Sequence, residues 1–275
     1  MKRVGFSLFL MALSLFSLLS GCRGAGSHSN GQAWKEWTAP NGHVKALATI
    51  AMIADLVKQV GGPYVDVLTL MQGELDPHSY QLVKGDDEKL LAAQVIFYNG
   101  LGLEHGPSLH SHLIGNPKAI GLGDVIRKEN PQLILTYQEQ VDPHIWMDIS
   151  LWSQTVPTIV AELTRLDPEH GPEYKKNGEL LIQKMMEAHE RIKAEVHQIP
   201  EQQRYLVTSH DAFNYFARAY LAEDGESVTG EWQKRFAAPE GLAPESQLSA
   251  REVQNILDFF KKISGACVIS GIELK

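Results

Sequence analysis

Three histidines in this sequence stand in polar segments that follow apolar stretches. His78 and His144 each follow Asp-Pro, in DPHSY and DPHIW, and His210 lies in TSHDAF. Each is 66 residues from the next. Three neutral imidazoles that converge form a site for a borderline ion such as Zn²⁺, Mn²⁺ or Fe²⁺. We therefore take the three as candidate metal ligands. The alternative is that they are ordinary loop histidines, which is the better interpretation for any one of them alone.

The residues beside these histidines would hold the rings in place before a metal arrives. A proline before His78 and His144 restricts the preceding aspartate to extended backbone and stiffens the loop. Nearby acids can orient a ring by bonding its second nitrogen, and the candidates are Asp76, Asp142, Asp148 and Asp211. Because the ligands must be neutral, binding is expected to fail as the pH falls through about 6.5, the pKa of an unperturbed histidine.

The chain alternates between strand and helix patterns. Short β-branched or apolar runs predict strands, and apolar residues at helical spacing predict helices. The predicted strands are residues 43–49, 64–70, 95–100, 118–123, 204–210 and 266–270, and the predicted helices are residues 50–62, 84–94, 148–168 with a kink or restart at Pro157, 211–222 and 249–263. This order indicates an α/β protein with parallel βαβ units. The equal histidine spacing suggests three equivalent loops, and open parallel sheets bind ligands beyond the carboxyl ends of their strands.

Residues 172–199 differ from the rest because they form one polar amphipathic helical pattern without a breaker before Pro200. A helix of about 28 residues spans roughly 40 Å, more than a simple crossover needs. We predict that it joins two lobes rigidly. The expected organisation is an N-terminal lobe at residues 38–170, a linking helix at residues 171–199 and a C-terminal lobe at residues 200–275.

Composition and the N-terminus limit the location and the partners. The chain has 275 residues and a net charge of −8, and the acidic balance argues against nucleic-acid binding. Residues 1–22 have a basic start, an apolar run and a small-residue end before Cys22, which predicts an export signal rather than a membrane-spanning helix. The only other cysteine is Cys267, so a disulfide framework is not expected. Residues 23–37 are expected to form a flexible tether.

The motifs together resemble a known family. The segment LSGC, which resembles a bacterial lipobox, DPHSY, NGLGLE, DPHIWMD and TSHDAFNYF occur in this order around the long helix. They resemble the metal-binding lipoproteins of bacterial ABC importers, particularly the treponemal and chlamydial type. The resemblance implies two βα lobes with parallel sheets joined by a long rigid helix. It implies that His78, His144 and His210 bind a divalent Zn, Mn or Fe ion as transported cargo, without an organic cofactor.

The resemblance also implies partners and a location. It implies an exported monomer, periplasmic or in the cell envelope, that delivers its ion to an ABC permease with its ATPase and is anchored to a membrane through a lipidated Cys22. One departure stands out, because the family's fourth ligand, usually an aspartate in a later segment, has no match after Asp258. We therefore expect a truncated second lobe, with weaker metal binding and lower stability than in an extended chain.

A different class of function remains open from the residues alone. Three histidines with an open fourth position are also the formula of a zinc-dependent hydrolase. Such an enzyme needs a general base beside the metal-bound water, and only Glu104 is a weak candidate, so no enzymatic activity is expected. Glu104 could also act at a hinge or support a metal ligand from behind, and a plain loop carboxylate is an equally good interpretation. The histidines His105, His110 and His112 form a small cluster whose role, including scavenging of metal, the sequence leaves undecided.

Overall fold

The strands and helices follow the alternating order that the sequence predicts. The computed structural model describes residues 34, 36–137, 139–238, 254, 257–259 and 261. The elements below lie in one compact unit, Pro40–Lys275. The predicted signal segment, Cys22, most of the tether, most of helix 249–263 and strand 266–270 with Cys267 fall outside the described residues. Among the helices that are described, none has the length and apolar character required to cross a bilayer.

The first sheet has four parallel strands in the order β2-β1-β3-β4. Its strands are β1 (Val44–Ala48), β2 (Val65–Thr69), β3 (Val95–Tyr98) and β4 (Ala119–Gly121). All residues of β1 are buried, as expected for a central strand between β2 and β3 that is covered on both faces. The predicted strands in this part of the chain are confirmed, and the polar loops after β2 and β3 leave one edge of the sheet.

Six helices accompany this sheet and the segment that follows it. They are α1 (Ala51–Gly61), α2 (Asp86–Ala92), α3 (Pro107–Leu113), α4 (Leu122–Glu129), α5 (Ile149–Ser153) and α6 (Val156–Leu166). The predicted restart at Pro157 is confirmed. This proline lies in the first turn of α6, where a helix has no partner for a backbone N–H in any case.

The long helix α7 (Gly171–Val196) has 26 residues. At 1.5 Å per residue it spans about 39 Å. It packs against α1, α5 and α6. Gly178 permits the close approach to α6, because a Cβ at this position would lie 2.5 Å from Cγ2 of Val160. The predicted long helix is confirmed, and its buried residues all lie in its first half, from Gly171 to Leu181.

The chain beyond α7 forms a smaller second sheet. Strand β7 (Leu206–Val207) pairs in parallel with β8 (Phe236–Ala237), and between them lie α8 (Asn214–Phe216), a π-helical turn at Ala217–Leu221 and α9 (Glu226–Thr229). The strand is shorter than the predicted 204–210, and the helix begins at Asn214 instead of residue 211. The α/β class with parallel sheets and a long helix is confirmed.

The expectation of three equivalent histidine loops is wrong. His78 lies in a turn between the parallel strand β2 and α2. His144 follows an antiparallel hairpin of β5 (Thr136–Tyr137) and β6 (Gln140–Val141) and immediately precedes a 3₁₀ turn. His210 follows β7 of the second sheet. Equal sequence spacing therefore does not reflect a structural repeat.

Candidate metal centre

The three predicted histidines come together in space. The Nε2 atom of His144 lies 3.2 Å from Nε2 of His78 and 3.3 Å from Nε2 of His210. One ligand nitrogen from each residue lies within 4.8 Å of the other two. Two nitrogens bound to one tetrahedral Zn²⁺ at 2.0–2.1 Å are about 3.3 Å apart. The cluster therefore already has the nitrogen spacing that a shared tetrahedral ion requires.

Burial separates the three rings from bulk water to different degrees. His78 is 5% exposed and His144 is 2% exposed, whereas His210 is partly buried. An ion bound here would exchange most of its water for imidazole nitrogen. Since imidazole is a ligand of intermediate softness, this set suits Zn²⁺ and Fe²⁺ better than Mn²⁺, Ca²⁺ or Mg²⁺, for which oxygen ligands are more suitable.

Asp142 orients the ring of His144. Its Oδ1 lies 2.7 Å from Nδ1 of His144 and also accepts a hydrogen bond from the His144 backbone N–H at 2.9 Å. A carboxylate accepts, so Nδ1 carries the hydrogen and Nε2 keeps its lone pair for the ion. The other carboxylate oxygen accepts from Nδ2 of Asn214 at 3.1 Å. Asp142 is thus one candidate acid that does bond the second nitrogen of a cluster histidine, as the sequence predicted.

Two of the other candidate acids accept hydrogen bonds from backbone N–H groups and not from a ring of the cluster. Asp76 accepts from the backbone N–H of His78 at 3.0 Å and from the Ser79 hydroxyl at 2.7 Å, which closes the turn around His78. Asp148 caps the N-terminus of α5 by accepting from the backbone of Ser150 and Leu151. The aspartate of the DPH motif thus closes a backbone turn at His78, whereas it orients the ring at His144.

Asp211 lies beside His210 and accepts from Nδ2 of Asn214 at 2.7 Å. Burial, and secondarily the charge of Asp142, raise the pKa of Asp211 to about 6. Asn214 therefore bridges the two acids, with one amide nitrogen between Asp142 and Asp211. The bridge connects the His144 segment to the start of α8.

Glu104 is a buried structural carboxylate. It accepts from the Thr49 hydroxyl at 2.7 Å and from the backbone N–H groups of Asn99 at 2.8 Å and Gly100 at 3.1 Å. Burial raises the pKa of Glu104. The carboxylate ties the loop after β3 to the end of β1, so the interpretation as a plain loop carboxylate understates its role, and its three donors leave it poorly placed to act as a base toward water.

Two further residues that sequence reasoning missed support the His144 segment. Nδ2 of Asn99 donates to the carbonyl of Pro143 at 3.0 Å. The hydroxyl of Tyr215, which is fully buried, donates to the carbonyl of Asp142 at 3.0 Å and accepts from the backbone N–H of Leu135 at 2.9 Å. The motifs NGLGLE and TSHDAFNYF contain both residues, but nothing in those letters identifies the carbonyls that they bind.

Burial changes the expected pH behaviour of His78. Burial, and then the neighbouring His144, lower the pKa of His78 to about 3. His78 thus stays neutral well below pH 6.5, so the pKa of an unperturbed histidine does not apply to this residue.

We expect the metal-free protein to lose stability as the pH falls below about 6.5, because the unfolded chain then protonates residue 78 and the folded chain does not. The folded pKa is lowered, so this loss accumulates from about 6.5 down to about 3. A His78→Asn variant should show a shallower fall of the melting temperature between pH 7 and pH 4, measured with a chelator present. Exposed His110→Asn is the control, and equal slopes in wild type and His78→Asn would contradict the assignment.

The remaining histidine cluster divides between a cavity and a helix surface. His105 is exposed and lines an open cavity of about 410 Å³ together with His78. His110 and His112 lie on α3, both exposed, and Nε2 of His112 lies 3.3 Å from Oδ1 of Asp87. The three residues therefore do not form one site.

Comparison with known proteins identifies the family. The family described as "Zinc-uptake complex component A periplasmic" matches residues 47–271. The chain belongs to this family. The metal-binding protein YtgA of Chlamydia trachomatis is 40% identical over 216 residues, which cover 78% of this chain and 66% of that protein, just under two thirds. The manganese-binding lipoprotein MntA of Bacillus subtilis is 32% identical over 271 residues, 97% of this chain and 81% of MntA.

Further comparisons agree with this assignment. SsaB of Streptococcus sanguinis, named as a metal ABC transporter substrate-binding lipoprotein, is 29% identical over 231 residues, 80% of this chain and 70% of SsaB. The structure of Fe(III)-bound YtgA from Chlamydia trachomatis aligns with a TM-score of 0.81 and 38% identity, covering 84% of this chain and 81% of that chain. The zinc-binding protein TroA from Treponema pallidum aligns with a TM-score of 0.72 and 30% identity, covering 83% and 78%. The resemblance to the treponemal and chlamydial type is confirmed.

The family assignment also decides between the two classes of function. The family comprises metal-binding components of uptake systems and not enzymes. The hydrolase alternative therefore finds no support in the relatives, and Glu104, which offered it a base, is fully engaged by other donors.

Proposed function

We propose that this protein is the substrate-binding component of a metal ABC importer and that His78, His144 and His210 bind one divalent transition ion. The observation that carries the proposal is the spacing of the three Nε2 atoms, with 3.2 Å and 3.3 Å between neighbours. The ion is cargo that the protein captures and gives up, and no organic cofactor takes part.

The relatives support the partners and the location that we propose. SsaB is named as an ABC transporter substrate-binding lipoprotein and MntA as a lipoprotein. By analogy, this protein delivers its ion to a membrane permease driven by an ATPase. We propose that it acts outside the cytoplasm as a monomer attached to a membrane by a lipid on Cys22. We also propose the division into lobes at residues 38–170 and 200–275, joined by the helix at residues 171–199.

The ligand set favours Zn²⁺ without excluding the other ions. Affinity at nitrogen sites rises from Mn²⁺ through Fe²⁺ to Zn²⁺. The relatives' names include manganese and zinc, and one structure holds Fe(III). The supply of each metal in the native compartment then decides which ion is carried, because the order of metal affinities is the same at most sites of this kind.

The test is elemental analysis of the full chain purified from its native envelope without added metal. We expect about one transition ion per chain, as a single tetrahedral site requires. Loss of that ion in a His78/His144/His210 triple alanine variant assigns it to the cluster. Mass spectrometry of the same sample reports on the lipid at Cys22. Metal-free wild type that also fails to bind added Zn²⁺, Mn²⁺ or Fe²⁺ would defeat the proposal.

A further inference from the structure

His78, one of the three cluster histidines, lines an open cavity, and a fourth histidine, His105, lines the same cavity. The cavity of about 410 Å³ is lined by His78 and His105, with Leu101, Gly102, Gln140, Val141 and Pro143. The ring centroids of His78 and His105 are 5.6 Å apart. The centroids within the cluster itself are 5.1 to 5.7 Å apart. His105 thus lies as close to His78 as the cluster histidines lie to one another, but on the exposed side.

The ring of His105 is held in a form that can bind a metal. Its Nδ1 lies 3.1 Å from the carbonyl oxygen of Gly102. A carbonyl only accepts, so Nδ1 carries the hydrogen and Nε2 retains a lone pair. The backbone N–H of His105 also donates to the carbonyl of Leu103 at 3.0 Å. The preceding residue, Glu104, is anchored by its three buried hydrogen bonds, so the loop that carries His105 is fixed.

Contacts between two chain segments keep His105 beside His78. Gly106 approaches the segment after His78 so closely that a Cβ there would lie 1.9 Å from the carbonyl oxygen of Tyr80. The Ser108 hydroxyl donates to Oε1 of Gln81 at 2.8 Å and accepts from the backbone N–H of Leu82 at 2.8 Å. The pairing of these segments places the two rings at the cavity.

We propose that His105 and His78 form an outer metal position through which the ion moves between solvent and the three-histidine cluster. The inference rests on the proposed function and adds a route to it. An ion from water first exchanges one water for His105 and a second for His78. His144 and His210 then displace His105 and further water, while His78 stays bound throughout. Release follows the same steps in reverse.

This route addresses the burial of the cluster. His78 and His144 are almost inaccessible to solvent, so a hydrated ion that approached these two rings directly would lose several waters before gaining a nitrogen from either. An exposed ligand lets each lost water be replaced by an imidazole in turn. A residue that acts only along the route speeds binding and release equally and leaves the equilibrium affinity unchanged.

The test compares rates and affinity in the full chain with Zn²⁺ as the probe. Binding is followed in a stopped-flow instrument by tryptophan fluorescence, since Trp146 packs against His144 with ring centroids 5.3 Å apart. Release is followed by transfer of Zn²⁺ to a chelating dye. We expect His105→Ala to slow both rates about tenfold through loss of one ligand along the route, while Kd stays within about threefold of wild type. His105→Asp, which restores a metal ligand, should recover most of both rates.

The control and the melting temperature separate this role from a structural one. His110→Ala removes a nearby exposed histidine on α3 that does not line the cavity, and it should leave both rates unchanged. Unchanged rates in His105→Ala, or a Kd that weakens in proportion to faster release, would overturn the inference. A wild-type chain that binds no Zn²⁺ would instead overturn the proposed function, before any variant is compared.

Discussion

Replacing His144 by alanine is expected to lower the Zn²⁺ affinity more than about 100-fold, beyond the upper end of what loss of a ligand's hydrogen-bond partner costs. His144 is the central member of the cluster, because its Nε2 lies 3.2 Å and 3.3 Å from the other two ligand nitrogens. Its removal leaves two nitrogens and places an open volume between them. The measurement is competition for Zn²⁺ against a chelating dye of known affinity.

The matched control is His110→Ala, which removes an imidazole from the exposed surface of α3. Its affinity should equal that of wild type. The His144→Ala variant should also keep a cooperative thermal transition in the absence of metal, which shows that the loss of affinity is not a loss of fold. Equal Zn²⁺ affinities of wild type and His144→Ala would exclude the cluster as the metal site.

The second prediction concerns the carboxylate that orients the central ring. Asp142→Asn should weaken Zn²⁺ binding about 10- to 100-fold, the range found for partners of metal-bound histidines. The charged Oδ1 that holds Nδ1 of His144 at 2.7 Å becomes a neutral amide group. If the amide oxygen takes the place of Oδ1, the new NH₂ group faces the amide nitrogen of Asn214, which donates a hydrogen bond to Oδ2 of Asp142 in the wild-type protein. In this orientation the amide oxygen still accepts from Nδ1 of His144, so the ring keeps its tautomer but loses part of its basicity. The opposite orientation relieves the contact with Asn214 but presents a donor to Nδ1, and the tautomer is then no longer fixed.

The chain supplies its own control in the other DPH motif. Asp76→Asn makes the same substitution two residues before His78, where the carboxylate holds the backbone N–H and the Ser79 hydroxyl and not the ring. We expect its affinity to fall less than threefold, because the lost charge weakens hydrogen bonds of the turn and not a contact with the ring. Comparable losses in the two variants would show that the Asp142 contact has no special role at the metal.

The sequence predicted the elements whose determinants are local. The central strand β1 is a buried apolar run, and α7 is a long periodic segment without a breaker, so each carries its own signal. The grouping of the three histidines was also predictable, since each stands beside an aspartate and two of them follow a proline. Strand β7 was overestimated, because the predicted residues beyond Val207 are the polar Thr208, Ser209 and His210, and strand β8 pairs only with Leu206 and Val207.

The parts of the site that depend on distant partners could not be predicted. The structural role of Glu104 depends on hydrogen bonds from a hydroxyl 55 residues away in the sequence and from two loop N–H groups. Tyr215 bonds a carbonyl 73 residues before it. The low pKa of His78 arises from burial and from a neighbour on another segment. None of these is a property of residue type or spacing. The idea of equivalent loops failed for the same reason, since the segments around each histidine differ.

The three ligand residues span 132 positions of the chain, and each comes from a different structural setting. No shorter stretch of polypeptide contains the cluster, so the coordination geometry arises only when residues 78 to 210 have folded together. Any step of export that the chain takes unfolded therefore takes place without an assembled site for the ion. The first metal that the finished protein meets is that of the compartment in which it folds. Cytoplasmic metal pools then have no influence on its initial loading, however tightly the completed site would hold their ions.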